Sequence, residues 1–195
     1  NDYQLHTIYQ KLHNFCVVDL GSIYLDIIKD RQYTTQADSV ARRSAQTAMY
    51  HIIEAFTRWI APILSFTADE LNEHIPGERS DNIFIEEVYS GLGNLLDDSQ
   101  GEVTLMQTLC EVKVAVNKAI EGERTNGTVG ASLEAEVTIY AEQSLATQLL
   151  AIKDELRFVL MASAVTVVSD QAAPDNAIAT ELDAMKLVIN KSEHD

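Results

Sequence analysis

The first third of the chain carries apolar side chains at intervals of three and four, the period of an amphipathic helix. The opening run is interrupted near Gly21, so it predicts two helices or one bent helix. A second run starts after Asp38 or Ser39, either of which can cap a helix, and Pro62 ends or kinks it. Because Trp59 completes the apolar stripe of this long helix, we expect its side chain to lie in the core.

The middle of the chain contains shorter signals. The "TADE" segment at 67–70 has the spacing of a capping box and predicts a short helix over 68–75. The "NIFIEEVY" segment at 82–89 predicts a brief extended piece, and "SGLGNLLDDSQG" at 90–101 predicts a loose acidic loop. Regular apolar positions over 102–123 then predict another long helix.

The last third of the chain changes period. Apolar residues alternate with polar ones in "EAEVTIYA", which predicts a half-buried strand. A helical segment over 144–161 follows, with a possible break near Lys153, and then "AVTVVSD" and "MKLVINKS" predict two more strands joined by the linker "QAAPDNAIATE". The sequence therefore predicts a mainly α protein with a small α/β part, in which a helical bundle precedes a three-stranded α/β module.

Charge changes this picture because it is unevenly distributed. The 195 residues carry a formal net charge of -16. Residues 1–60 hold six basic and six acidic side chains, whereas the remaining 135 hold 8 basic and 24 acidic ones. An acidic bulk argues against non-specific coating of nucleic acid, so we expect no DNA partner, but it leaves room for a local basic face in the first segment.

Five basic side chains are candidates for such a face: Lys29, Arg31, Arg42, Arg43 and Arg58. Lys29 and Arg31 end a predicted helix, where they either stabilise its dipole or project towards a phosphate backbone. Arg42 and Arg43 are adjacent and point about 100° apart on a helix. Arg43 and Arg58 fall on the polar face of that helix, where they could instead form local contacts that only support it.

Catalytic and metal-binding signatures are missing from the sequence. It contains no G-x-S-x-G, G-x-x-x-x-G-K-[ST] or G-x-G-x-x-G, and its five histidines lack metal-ligand spacing. "GTVGAS" at 127–132 lacks a lysine and precedes a strand, so it predicts a turn. We therefore expect no catalytic residue and no metal site in this chain.

Targeting signals are also missing. No run of eighteen apolar residues predicts a membrane span, and the opening residues do not form a secretory signal, so we expect no membrane partner. Cys16 and Cys110 are far apart and form no C-x-x-C motif, which fits a reducing cytoplasm. The chain lacks an initiator Met and opens in helical rhythm, which favours a piece of a longer protein.

Four long blocks carry a resemblance to a known family: "FCVVDLGSIYLDIIKDRQYT", "DSVARRSAQTAMYHIIEAFTRWIAPILSFTADE", "VGASLEAEVTIYA" and "DELRFVLMASAVTVVS". They resemble, in order, the C-terminal region of the bacterial isoleucyl-tRNA synthetases, which are class I aminoacyl-tRNA synthetases. The resemblance implies three parts: later helices of the anticodon-binding bundle over 1–80, a connecting loop and long helix over 81–125, and a small α/β junction module over 126–195.

The same resemblance implies a function in protein biosynthesis. The chain would position the anticodon arm of isoleucine tRNA, with the remainder of the synthetase as its partner. The five basic residues are the tRNA contacts that we predict from their charge and clustering, and the resemblance does not select among them. The parent would be an ATP-dependent isoleucine-tRNA ligase, but H-I-G-H and K-M-S-K-S are absent here. ATP and zinc are therefore implied for the parent, and no cofactor is expected in this chain.

Some positions depart from the family pattern. Asn72 replaces an aromatic residue after "TADE", which we expect to weaken one packing point, and "TNGTVG" lacks the lysine that could touch a phosphate. Two alternatives stay open. One is a catalytically silent helical scaffold whose acidic surface docks a basic protein, and the other is the equivalent region of a valyl-tRNA synthetase.

Overall fold

A computed structural model describes residues 4–92 and 100–192 of the chain. The chain divides into two compact units, Asn1–Ser99 and Gln100–Asp195, and each is described by itself. The acidic loop predicted at 90–101 lies mostly outside the described residues. The three-part division with boundaries at 80 and 125 stays a prediction.

The first unit is helical. Its described elements are α1 (Leu5–Asn14), a π-helical segment (Phe15–Leu25), α2 (Asp26–Tyr33), α3 (Val40–Ile60), α4 (Ser65–His74) and a 3-10 turn (Ile83–Ile85). The 3-10 turn falls where the sequence predicts an extended piece. That prediction is wrong at 83–85, where the side chain of Asn82 accepts a hydrogen bond from the backbone nitrogen of Phe84 at 2.9 Å and closes a turn, whereas the backbone of Asn82 and Glu86 on either side is extended.

The interruption predicted near Gly21 is the π-helical segment, through which the chain stays helical from α1 to α2. The hydroxyl of Ser22 donates to the carbonyl of Val17, five residues earlier, at 2.9 Å. A Cβ atom at Gly21 would lie 3.0 Å from the carbonyl oxygen of Cys16. The wider turn of a π-helix therefore brings position 21 close to backbone that an ordinary side chain would crowd.

Local hydrogen bonds set the starts of α3 and α4. Ser39 caps α3, as predicted, because its hydroxyl accepts from the backbone nitrogen of Arg42 at 3.3 Å. The capping-box prediction for α4 is wrong: the helix begins at Ser65, before Thr67. The hydroxyl of Ser65 donates to the carbonyl of Ala61 at 3.0 Å, which ties the start of α4 to the turn that follows α3.

The core of the first unit corrects the expectation for Trp59, which is 44% exposed. The buried residues in the second half of α3 include Glu54, Thr57 and Ile60, which follow one another at intervals of three. Ala45 and Ala55 of the predicted stripe are buried as well, so the stripe departs from the structure at its C-terminal end, where Ile60 is buried and Trp59 is not. The buried face also includes Glu54, which forms ion pairs with Arg58 and Arg79, so polar contacts contribute to it.

The second unit combines helices with a sheet. Its elements are α5 (Gln100–Thr125), a 3-10 turn (Ser132–Glu134), β1 (Ala135–Ala141), α6 (Gln143–Ala151), α7 (Lys153–Leu160), β2 (Ala164–Ser169), a 3-10 turn (Asp170–Ala172), β3 (Ile178–Ala179) and β4 (Met185–Lys191). The predicted break near Lys153 is confirmed by the division between α6 and α7.

The sheet has four strands in the order β2-β1-β4-β3, one more than predicted. The extra strand is β3, two residues within the predicted linker, which pairs antiparallel with β4 through Ile178 and Leu187. β1 pairs parallel with β2 and antiparallel with β4. Within the described residues, no helix is both long enough and apolar enough to cross a bilayer.

Candidate nucleic-acid interface

Arg58 is the candidate cation whose charge is most fully neutralised. Its guanidinium forms ion pairs with the carboxylates of Glu54 and Glu86, the second at 2.8 Å. Its Nε atom also donates to the carbonyl of Glu87 at 2.8 Å, and its guanidinium carbon lies 5.6 Å from the ring centre of Tyr89. The side chain is only 13% exposed, and these contacts favour a structural role for Arg58 over the predicted contact with tRNA.

Glu54 is the centre of this network. It is 3% exposed and also pairs with Arg79, whose Nη2 atom lies 2.7 Å from Oε1. Burial alone would raise the pKa of Glu54, but hydrogen bonds from Arg79, Arg58 and Tyr50 outweigh it and hold that pKa below the usual 4.5. The carboxylate therefore stays ionised inside the unit at neutral pH.

Asn72 belongs to the same network, which corrects the expectation that it weakens packing. Its side chain is 1% exposed, its Nδ2 atom donates to the carbonyl of Ser80 at 2.9 Å, and its Oδ1 atom accepts from Arg79 at 3.3 Å. The carboxylate of Glu86 accepts from the backbone nitrogen of Ser80 at 3.0 Å. The segment after α4 is thus fastened to α3 and α4 by polar contacts.

Arg31 lies in the last turn of α2, beside the half-buried phenol of Tyr24. Burial raises the pKa of Tyr24, and the positive charge of Arg31 opposes that rise, so the two side chains interact. The hydroxyl of Tyr24 lies 3.5 Å from the carbonyl oxygen of Ala45 on α3. Arg31 is half-buried beside Tyr24 of the π-helical segment.

Lys29 and Arg42 both line a groove between α2 and α3. The groove has a volume of about 420 Å³. Arg42 is half-buried, and its Nη1 atom donates to the carbonyl of Thr35 at 3.2 Å, which fixes the guanidinium at the edge of the groove. Among the described residues neither Lys29 nor Arg42 has a carboxylate partner, so their charges are available to an anion.

Arg43 is exposed and lines a second, neighbouring groove on α3 with Gln46, Tyr50 and Pro76. Met49 lines both grooves, so they adjoin along α3. Arg43 likewise has no carboxylate partner in the part of the chain that the structure describes. Three of the five predicted cations therefore collect on adjoining grooves of α2 and α3 without local neutralisation.

Comparison with known proteins decides the family. Residues 1–139 match the family model described as the anticodon-binding domain of tRNA ligase. The chain belongs to the family of anticodon-binding domains of tRNA ligases. The cations of α2 and α3 lie within the matched residues.

Relatives extend the similarity beyond the matched domain. The chain is 53% identical over 194 residues to an isoleucine-tRNA ligase of Marinomonas sp. (strain MWYL1), covering 100% of this chain and 21% of that protein. It is 54% identical over 193 residues to the isoleucine-tRNA ligase of Saccharophagus degradans, covering 99% of this chain and 20% of that protein. The chain spans about a fifth of the length of these relatives.

The turn that precedes β1 in the second unit of this anticodon-binding family member is poorly suited to bind a phosphate. The Gly127 backbone has a φ of 80°, which confirms the predicted turn, and the nitrogen of Gly130 donates to the carboxylate of Glu134 at 3.2 Å. That carboxylate would repel a phosphate from the turn. Among the described residues, no group of three His, Cys, Asp or Glu side chains could hold a metal ion.

Two residues beside the predicted cations were missed by sequence reasoning. Gln32 and Tyr33 line the same groove as Lys29 and Arg42. They follow Lys29 by three and four positions, the spacing that places side chains on one face of a helix. That spacing could have identified them, but only basic residues were named as contacts from the sequence.

Proposed function

We propose that this chain binds the anticodon arm of isoleucine tRNA as part of an isoleucine-tRNA ligase in the cytoplasm. Membership of the anticodon-binding family supports tRNA as the ligand, and high identity to isoleucine ligases over the whole chain supports isoleucine tRNA in preference to valine tRNA. The remainder of the ligase would supply the ATP-dependent aminoacylation, since no catalytic motif occurs here. ATP and zinc would be bound by that remainder.

The observation that carries the proposal is the position of Lys29, Arg42 and Arg43. These side chains lie on adjoining grooves and keep their charges in a chain whose net charge is -16. Cations that meet phosphates position an RNA, whereas its unpaired bases are read by polar and aromatic side chains. Arg31 stands at the end of the same helix as Lys29 and is proposed as a further phosphate contact.

The acidic remainder of the chain would influence the orientation in which an RNA loop binds. A polyanion is repelled by the negative bulk at long range and attracted only where cations are exposed. An RNA loop would therefore dock stably in one orientation, with its backbone against α2 and α3. Arg58 takes no part, because Glu54 and Glu86 neutralise it.

The test is direct binding of RNA to the chain. The labelled anticodon stem-loop of isoleucine tRNA should bind weakly, and the slope of affinity against salt should correspond to about two to four phosphate contacts. The stem-loop of valine tRNA serves as the matched competitor and should bind less tightly. Equal binding of both stem-loops, or affinity that does not change with salt, would overturn the proposal.

A further inference from the structure

The groove between α2 and α3 contains hydrogen-bond donors without acceptors. The Nε2 atom of Gln32 and the Nε atom of Arg42 are both buried, and neither has a partner among the described residues. Both residues line the groove. An unpaired buried donor costs free energy that folding alone does not recover, so two of them beside one groove indicate that an acceptor is supplied from outside.

The charges of the groove indicate what kind of acceptor it is. Lys29 and Arg42 contribute two cations and Asp26, one turn before Lys29, contributes one carboxylate. Arg42 is held by its bond to the carbonyl of Thr35, which leaves the rest of its guanidinium for a ligand. The carboxylate of Asp26 would repel part of a free anion. A ligand that places an anionic group at Lys29 and Arg42 and a neutral polar group near Asp26 therefore matches the groove better.

The remaining lining is apolar or aromatic. Tyr33 is 83% exposed at the end of α2, and Leu25 and Met49 line the groove beside it. An exposed tyrosine next to cations offers a flat surface on which an unstacked base can lie, and such stacking tolerates any base because every base has a π face. One groove thus offers cations for a phosphate, the Gln32 amide for a base edge and the Tyr33 ring for a base face.

We propose that this groove is a nucleotide subsite that takes one unpaired nucleotide of an RNA loop. Lys29 and Arg42 bind its phosphate, Tyr33 stacks on its base, and the amide of Gln32 donates to a base acceptor. The proposal rests on the proposed function and deepens it, because it names the residues that contact a base rather than the RNA backbone.

Gln32 gives the sharpest variant, because stability and binding should move in opposite directions. Gln32→Met removes the buried unpaired donor while keeping a side chain of similar length, so the melting temperature should rise slightly. The same variant should weaken binding of the isoleucine anticodon stem-loop several-fold. A higher melting temperature with unchanged RNA affinity would mean that another protein segment, and not RNA, supplies the acceptor, and would overturn the subsite.

The role of Tyr33 is tested by combining substitutions at this position with stem-loops that each lack one base. Tyr33→Ala should weaken binding roughly tenfold without lowering the melting temperature, because the ring is exposed, whereas Tyr33→Phe should bind like the unchanged chain. Stem-loops that each lack one base should then be compared. At one loop position, removal of the base should weaken binding to the unchanged chain but not to Tyr33→Ala.

The results separate this inference from the proposed function. If Arg43→Ala weakens salt-dependent binding while the Gln32 and Tyr33 variants do not, the RNA-binding function stands and the nucleotide subsite is wrong. If no loop position couples to Tyr33, the subsite is likewise wrong. If the unchanged chain binds neither stem-loop, both proposals fail together.

Discussion

The Nη2 atom of Arg79 lies 2.7 Å from Oε1 of Glu54, across 25 positions of sequence. The same carboxylate pairs with Arg58 on its own helix, so one buried acid holds two arginines from different segments. Buried ion pairs repay their desolvation only when the geometry is good and further hydrogen bonds complete it. Here Asn72 and the carbonyl of Pro76 provide those bonds to Arg79, which makes the cluster the polar centre of the first unit.

Removal of the central charge should destabilise the first unit. Glu54→Gln leaves two largely buried arginines without their shared partner, and we expect the free energy of unfolding to fall by about 3 kcal/mol. Urea unfolding followed by circular dichroism measures this change. Glu87→Gln is the matched control, because that side chain is exposed and only its backbone carbonyl contacts Arg58. Equal effects of the two substitutions would contradict the assigned role.

The same carboxylate should make stability depend on pH. The pKa of Glu54 is lower in the folded unit than in the unfolded chain, so its stabilisation is complete above the unfolded pKa and is lost as pH falls through the folded pKa. Glu54 stays ionised between about pH 6 and 8, so the difference in free energy of unfolding between the unchanged chain and Glu54→Gln should be constant there. In acid Glu54 takes up a proton, and the difference should shrink. A difference that grows as pH falls would contradict this sign.

The π-helical segment predicts unequal effects of two glycine substitutions. Gly122→Ala in α5 meets no atom within 4 Å and should stabilise its helix by about 0.5–1 kcal/mol. Gly21→Ala gains the same propensity but brings Cβ to 3.0 Å from the carbonyl of Cys16, so we expect its melting temperature to fall. Thermal unfolding of both variants checks this, and a similar rise in both would show that position 21 is not crowded.

Patterns of single elements were predictable from the sequence, whereas interactions between distant segments were not. The start of α3 at Ser39 and the break near Lys153 follow from local chemistry, namely a capping hydroxyl and an interrupted apolar period. Trp59 was misplaced because the buried face of α3 includes Glu54 and meets distant segments: Glu54 pairs with Arg79 of the "GERS" segment, 25 residues away, and Arg58 pairs with Glu86 of the "IEEV" segment. No periodicity within α3 contains that information.

The candidate site shows the same limit. Basic residues could be named from composition, but their availability depends on which of them meets a carboxylate in space. Arg58 meets two and Arg43 meets none among the described residues. β3 was missed for a related reason, because a two-residue strand carries no alternation and forms only where β4 offers it a partner.

The central claim is that exposed cations on α2 and α3 bind an RNA loop, and charge reversal tests it most directly. Lys29→Glu with Arg43→Glu should abolish binding of the isoleucine anticodon stem-loop while the melting temperature stays unchanged, because neither side chain has an ion-pair partner among the described residues. Lys153→Glu with Lys186→Glu is the matched control. It adds the same negative charge at exposed positions of the second unit.

Anisotropy titrations of the labelled stem-loop at low salt compare the two double variants with the unchanged chain. The account predicts loss of binding for the first variant and binding close to that of the unchanged chain for the second. Equal loss in both would mean that net charge alone governs binding, and retention of binding by the first variant would contradict the assignment of these cations to RNA.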